Sequence, residues 1–130
     1  MKVAVPSKWE TLKSQFFEKF GFSPCYLIFD TEKKEKVSVI FYSPCEVGKL
    51  KGRERIEHLA KKEIDAVLVD HVATAGYKYM KSLGITPYEV KGVKTVGEAL
   101  EKFMNGELKE AQPHDCGTSE CVSVWGENNG

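Results

Sequence analysis

The sequence predicts an α/β fold on a mixed sheet, and three observations predict it. Ala66 to Val69 is a short apolar run rich in β-branched residues, too short for a helix and suited to a strand covered on both faces. After Asp70 and His71 the period changes: Val72, Gly76, Met80 and Leu83 recur at helical spacing, and Gly84 ends the helix. Ile85 to Val90 then resumes extended character. Strand, helix and strand in that order form a parallel crossover, which needs a sheet with helices packed on its faces.

The other elements follow along the chain. Lys2 to Val5 reads as a strand ended by Pro6. Trp9, Leu12, Phe16 and Phe20 are spaced for one helical face but could equally pin an ordered loop, and a loop with one or two helical turns is expected. Ser23 to Asp30 is a strand that Pro24 can only begin, because proline donates no ladder hydrogen bond. Thr31 to Lys36 is a charged turn, and Val37 to Tyr42 returns as the second arm of an antiparallel hairpin closed by Ser43-Pro44-Cys45. From Gly52 to Lys62, Ile56, Leu59 and Ala60 form a narrow stripe on a charged helix, with Arg53, Glu54, Arg55 and Glu57 expected on a solvated surface. Thr95 and Glu98 form a capping box for a last helix to Met104, which buries Ala99, Leu100 and Phe103 and stops at Asn105-Gly106.

The 130 residues make one domain with a buried core, expected over 1–108, followed by a mobile Cys/His-containing tail over 109–130. Nineteen basic and nineteen acidic side chains cancel, which argues against nucleic acid or an anionic membrane surface as partner. No apolar run approaches the ~20 residues of a membrane span, and the first residues lack a signal-peptide core, so a cytoplasmic protein is expected. In a reducing compartment the four cysteines, Cys25, Cys45, Cys116 and Cys121, favour metal, cluster or redox roles over a disulfide framework.

If the second strand alone runs against the others, the first, third and fourth strands finish at one sheet edge. That edge then gathers Ser7, the Phe20-Gly21 turn with Cys25, the turn with Cys45, the helix start at Gly52, and Asp70, His71 and Ala73. Ligands of open α/β sheets sit outside such strand ends, and helix amino termini there favour anions. Cys25 reads either as a ligand or as a small buried hydrophobe, Cys45 as a ligand or a surface thiol, and His71 as a ligand or a histidine bonding its own turn. In the tail, His114, Cys116 and Cys121 offer three further metal ligands at a spacing unlike a standard zinc module.

These residues carry a likeness. Met1-Lys2-Val3-Ala4-Val5-Pro6-Ser7, Phe20-Gly21 with Pro24 and Leu27-Ile28-Phe29-Asp30, Ser43-Pro44, Gly52 with Ile64-Asp65-Ala66-Val67, Gly84-Ile85, Thr95-Val96, Glu98-Ala99-Leu100 and Asn105-Gly106-Glu107-Leu108 together resemble the dinitrogenase iron-molybdenum cofactor biosynthesis family. The likeness is to its small NifX-like and NifB C-terminal-like carriers and spans roughly residues 1–107. It implies a ribonuclease-H-like mixed five-stranded sheet and a carrier of an iron-sulfur or iron-molybdenum-sulfur cluster, with donor and acceptor proteins as partners. Three features depart from the family pattern: Lys19 where histidine is common before Phe-Gly, Asp70-His71-Val72-Ala73 in place of a glycine-rich turn, and the cysteine-bearing tail.

Three other functions compete with a non-enzymatic carrier, and the weakest is a nucleotide-binding module, because the turns lack a phosphate-cradling glycine motif. A metal-dependent nuclease would need clustered carboxylates, and Lys2 to Val5 has none while Asp30 falls at the edge away from Asp70. A regulatory or interaction module with redox-active tail cysteines and no cofactor is the alternative.

Overall fold

The computed structural model describes residues 1–43, 46 and 52–113. Six strands form one sheet: β1 (Lys2–Ser7), β2 (Cys25–Asp30), β3 (Glu35–Phe41), β4 (Ala66–Val69), β5 (Thr86–Glu89) and β6 (Lys109–Glu110), in the spatial order β3-β2-β1-β4-β5-β6. β1 pairs antiparallel with β2 and parallel with β4, and β4 is parallel to β5, so the crossover read from the sequence is present. β2 and β6 run against the other four strands.

Among the described residues three α-helices cover this sheet: α1 (Gly52–Lys61), α2 (Thr74–Ser82) and α3 (Val96–Met104). Strand alternation divides the core in two. Ala4, Tyr26, Ile28, Val67 and Val69 pack with Ile56 and Leu59 of α1 and Met80 of α2 on one face. Val3, Val5, Leu27, Ala66 and Leu68 pack with Val96, Ala99 and Leu100 of α3 on the other.

Four expectations are corrected. The five expected strands become six, because Lys109 and Glu110 pair with β5 and Ala111 is buried with its N–H on the Pro87 carbonyl at 2.9 Å. A two-residue strand has no alternation to betray it. Pro6 lies inside β1 opposite Tyr26, past the last registered pair with β4 at Ala4 and Val67, where its missing N–H costs no bond to that neighbour. Leu83, counted on the helical stripe, is 41% exposed at the C-cap of α2.

Between Trp9 and Lys19 there is no helical turn of the α type; helical structure is confined to a 3-10 turn at Phe20–Phe22. The segment is instead an ordered strap across the start of α3. Val96 N–H reaches the Ser14 carbonyl at 2.9 Å and Gly97 N–H the Leu12 carbonyl at 2.8 Å, while Glu98 N–H is taken by the Thr95 hydroxyl in the expected capping box. These are the donors a helix leaves unpaired in its first turn, so the strap completes α3. Gly97 permits the approach, since a Cβ there would stand 3.1 Å from the Leu12 carbonyl oxygen. Of the four apolar residues, Phe16 and Phe20 are buried; Trp9 and Leu12 are exposed.

Candidate functional site: the edge where β1 and β4 end

β1, β3, β4 and β5 finish at one edge of the sheet, and β2 begins there. Around it stand Ser7, the Phe20–Phe22 turn, Cys25, the first residue of α1, and the connection Asp70-His71-Val72-Ala73 that enters α2. The sequence therefore places Ser7, Gly21, Cys25, Gly52, Asp70, His71 and Ala73 at a common edge. Cys45, His114, Cys116 and Cys121 lie outside the described residues.

Ser7 and Cys25 sit opposite each other in the β1–β2 register and are both buried. The Ser7 hydroxyl donates to the Trp9 carbonyl at 2.5 Å and accepts the Trp9 N–H at 3.1 Å, and the Cys25 thiol donates to the same carbonyl at 3.1 Å. Burial pushes the Cys25 thiol up to about 11, against a smaller opposing effect from the Ser7 hydrogen bond. Cys25 belongs to the α3 face of the core. It forms part of the wall beneath the edge.

Ser23 welds the neighbouring turn to β1. Its hydroxyl accepts the Ser7 N–H at 3.1 Å and lies 2.7 Å from the Cys25 carbonyl, to which it donates. Gly21 is buried within the turn, and Gly52 is buried at the start of α1. Asp70 is partly exposed, with the Lys91 ammonium 3.4 Å from its carboxylate and Glu89 3.8 Å from the same ammonium. Exposed pairs of this kind contribute little to stability. His71 and Ala73 are half-buried. Ala73 is the N-cap of α2 and makes no side-chain cap, in contrast with the full capping box of α3. The start of α2 thus presents its partial positive charge at this edge.

The largest departure from expectation is Arg55. Placed on a solvated face by its charged neighbours, it is instead completely buried. Its Nη1 donates to the Ser23 carbonyl at 2.5 Å and to the Tyr26 hydroxyl at 3.0 Å. Its guanidinium lies 4.6 Å from the Tyr42 ring centroid and 5.9 Å from that of Tyr26. Tyr26 in turn donates its hydroxyl to the Phe20 carbonyl, and Tyr42 pairs with His58 Nδ1 at 2.8 Å. Burial raises both phenols, Tyr42 to about 12 and Tyr26 further, although the Arg55 charge opposes the rise. A signal was available: Gly52, Arg55, Ile56 and Leu59 fall at i, i+3, i+4 and i+7, the spacing of a single buried face.

Among the described residues no group of three or more His, Cys, Asp or Glu side chains is arranged to hold a metal ion. His71 therefore belongs to no such group among the described residues. A protein-family model, that of the dinitrogenase iron-molybdenum cofactor, matches residues 1–106 and so covers the whole of this edge. The chain belongs to that family. The fold is shared by solved structures. The NMR structure of a protein from Thermotoga assigned as NifB is 25% identical, covers 84% of this chain and 91% of its own, and has a TM-score of 0.69. The apo orange protein from Desulfovibrio gigas shares the fold at 17% identity, with coverages of 86% and 93% and a TM-score of 0.73. A protein from Methanocaldococcus jannaschii assigned as a dinitrogenase shares it at 20% identity, 87% and 96% coverage and a TM-score of 0.62. No curated protein sequence matches the chain. Among the described residues no helix is long and apolar enough to cross a membrane.

Proposed function

We propose that this member of the dinitrogenase iron-molybdenum cofactor family is a non-enzymatic carrier. Its cargo is an anionic metal-sulfur cluster or a precursor of the iron-molybdenum cofactor, received from a donor protein and passed to an acceptor in the cytoplasm. The observation that carries the reading is that, in a chain of this family, His71 and the start of α2, uncapped by the Ala73 side chain, share the edge where β1 and β4 end.

The chemistry suits such cargo. An imidazole nitrogen or a thiolate ligates iron, while backbone N–H groups at a helix start and in the Gly21 turn compensate negative charge on the sulfides. A small ligand set is compatible with a cargo that must leave again. In this proposal Ser7, Gly21, Gly52, Asp70, His71 and Ala73 shape the seat, and Cys45 offers a further thiol ligand. Cys25 is held in the wall by its hydrogen bond to Trp9. The tail residues His114, Cys116 and Cys121 form a second ligand-bearing segment.

The test is anaerobic reconstitution with ferrous iron, sulfide and molybdate, followed by metal analysis and visible absorption. The proteins are the full chain, a chain ending at Pro113, and H71A in the full chain. Ending at Pro113 keeps the buried Ala111 and β6. Stoichiometric iron with charge-transfer bands in the full and shortened chains, reduced severalfold in H71A, is the expected result. Loss of metal only on shortening would move the site to the tail. Absence of metal from every protein would refute the carrier.

A further inference from the structure

We propose that Arg55 is a positioning residue of the cargo seat, holding three of its segments in one geometry from beneath. The inference rests on the carrier reading above. A fully buried guanidinium is costly unless its donors are met and its charge is compensated. The geometry shows where these donors are directed. Both hydrogens of Nη1 are committed, one to the Ser23 carbonyl and one to the Tyr26 hydroxyl, and that hydroxyl in turn donates a hydrogen bond to the Phe20 carbonyl. Phe20 and Ser23 bracket Gly21, so a single cation fixes both ends of the turn.

The central carbon of the same group lies over Tyr42, 4.6 Å from its ring centroid. Tyr42 closes the hairpin arm that leads toward Cys45, and its N–H is tied to the Pro24 carbonyl at 2.9 Å. Arg55 itself is three residues into the helix that opens at Gly52. The Gly21 turn, the end of β3 and the start of α1 therefore meet on one side chain. Lysine cannot replace it in kind: its ammonium carries the charge but lacks a planar group that can stack on Tyr42 while donating sideways to two oxygens.

The test uses the full chain, R55K and Y26F, each reconstituted anaerobically with ferrous iron, sulfide and molybdate. Apparent metal affinity is read by chelator competition, the visible spectrum is recorded, and amide exchange at Phe22 and Ser23 is measured in the metal-free proteins. R55K is expected to weaken apparent affinity tenfold or more, shift the visible bands and accelerate exchange at the turn about tenfold, while unfolding cooperatively. Y26F removes the Tyr26 hydroxyl's bonds to Arg55 and Phe20 but leaves Arg55 on Ser23 and Tyr42, and is expected to move each readout in the same direction by a smaller factor. If both variants load metal with unchanged affinity and spectrum, whatever stability they lose, Arg55 is a packing residue and the inference fails. Should R55K fail to fold, Y26F decides by the same criterion. A wild-type chain that takes up no metal overturns the carrier reading and this inference with it. The exchange rates then tell separately whether Arg55 orders the turn.

Discussion

Replacing Tyr26 by phenylalanine removes one oxygen from the centre of the molecule and leaves the ring, so its cost isolates the buried polar network. Tyr26 is fully buried, and its hydroxyl donates to the Phe20 carbonyl and accepts from Arg55. Neither partner is stranded by the change. The Phe20 carbonyl keeps the Ser23 N–H at 3.4 Å, and Nη1 of Arg55 keeps the Ser23 carbonyl at 2.5 Å. The loss is therefore that of under-satisfied buried groups rather than of an orphaned charge, about 1–3 kcal/mol. With a urea m-value of about 2 kcal/mol/M for a domain of this size, the denaturation midpoint should fall by roughly 1 M with m unchanged. Proton linkage gives an independent check. Burial raises the Tyr26 phenol in the folded state, so its stabilising contribution is complete below the unfolded value near ~10 and declines as pH rises above it. The wild-type chain should accordingly lose stability more steeply than Y26F on the alkaline side. Equal midpoints for the two proteins at pH 7, or parallel alkaline limbs, would refute the account of Tyr26 as a network member.

Other measurements address separate parts of the molecule. Leu100, 2% exposed on the α3 face, should cost about 2–5 kcal/mol when cut to alanine, seen as a lowered thermal midpoint. Metal loading well below that midpoint should persist in L100A, because α3 packs on the face opposite Arg55. Cys25 should resist alkylation at pH 8 in the folded protein and react promptly in denaturant, since its thiol is buried and pushed up to about 11; mass mapping of the labelled peptide checks this. The Glu110 carboxyl is held below its ordinary value chiefly by the Tyr77 hydroxyl and then by Lys81. A carboxylate so depressed stabilises the fold above its unfolded value and ceases to do so as pH falls through its folded one. The amide protection factor of Ala111, next to Glu110 and bonded to Pro87, should therefore drop on acidification below the ordinary carboxylate range.

The parts of the fold that were readable share a property: their signal repeats. Ala66 to Val69 is four buried positions in succession, and α3 announces both ends through Thr95, Glu98 and Gly106. The crossover between β4 and β5 then settles strand direction, and strand direction brings Ser7, Gly21, Gly52 and His71 to one edge. The misses involve residues whose placement depends on distant partners. β6 exists because Tyr88 and Glu89 offer an unfilled edge, not because Lys109 and Glu110 favour a strand. The strap before Phe20 takes its shape from the unpaired donors of α3, eighty residues along the chain from Phe16 to Val96. Arg55 was hidden by composition. A charged residue among charged neighbours reads as surface, and only its spacing from Ile56 and Leu59, together with Tyr26 of β2 and Tyr42 just past β3, marks it as core.

The alanine that begins α2 implies an exchange between stability and binding. Serine or aspartate at such a position commonly adds about 1 kcal/mol to a helix by occupying its first donors with a side-chain oxygen. Ala73 forgoes that gain, whereas Thr95 secures it for the helix on the other face. An oxygen introduced at Ala73 would compete with any anion seated at the same donors, so the more stable protein would be the poorer receiver. If the proposed carrier seats an anion there, its arrival would firm α2 in place of a side-chain cap and its departure would loosen it again, which would tie the firmness of α2 to whether cargo is bound.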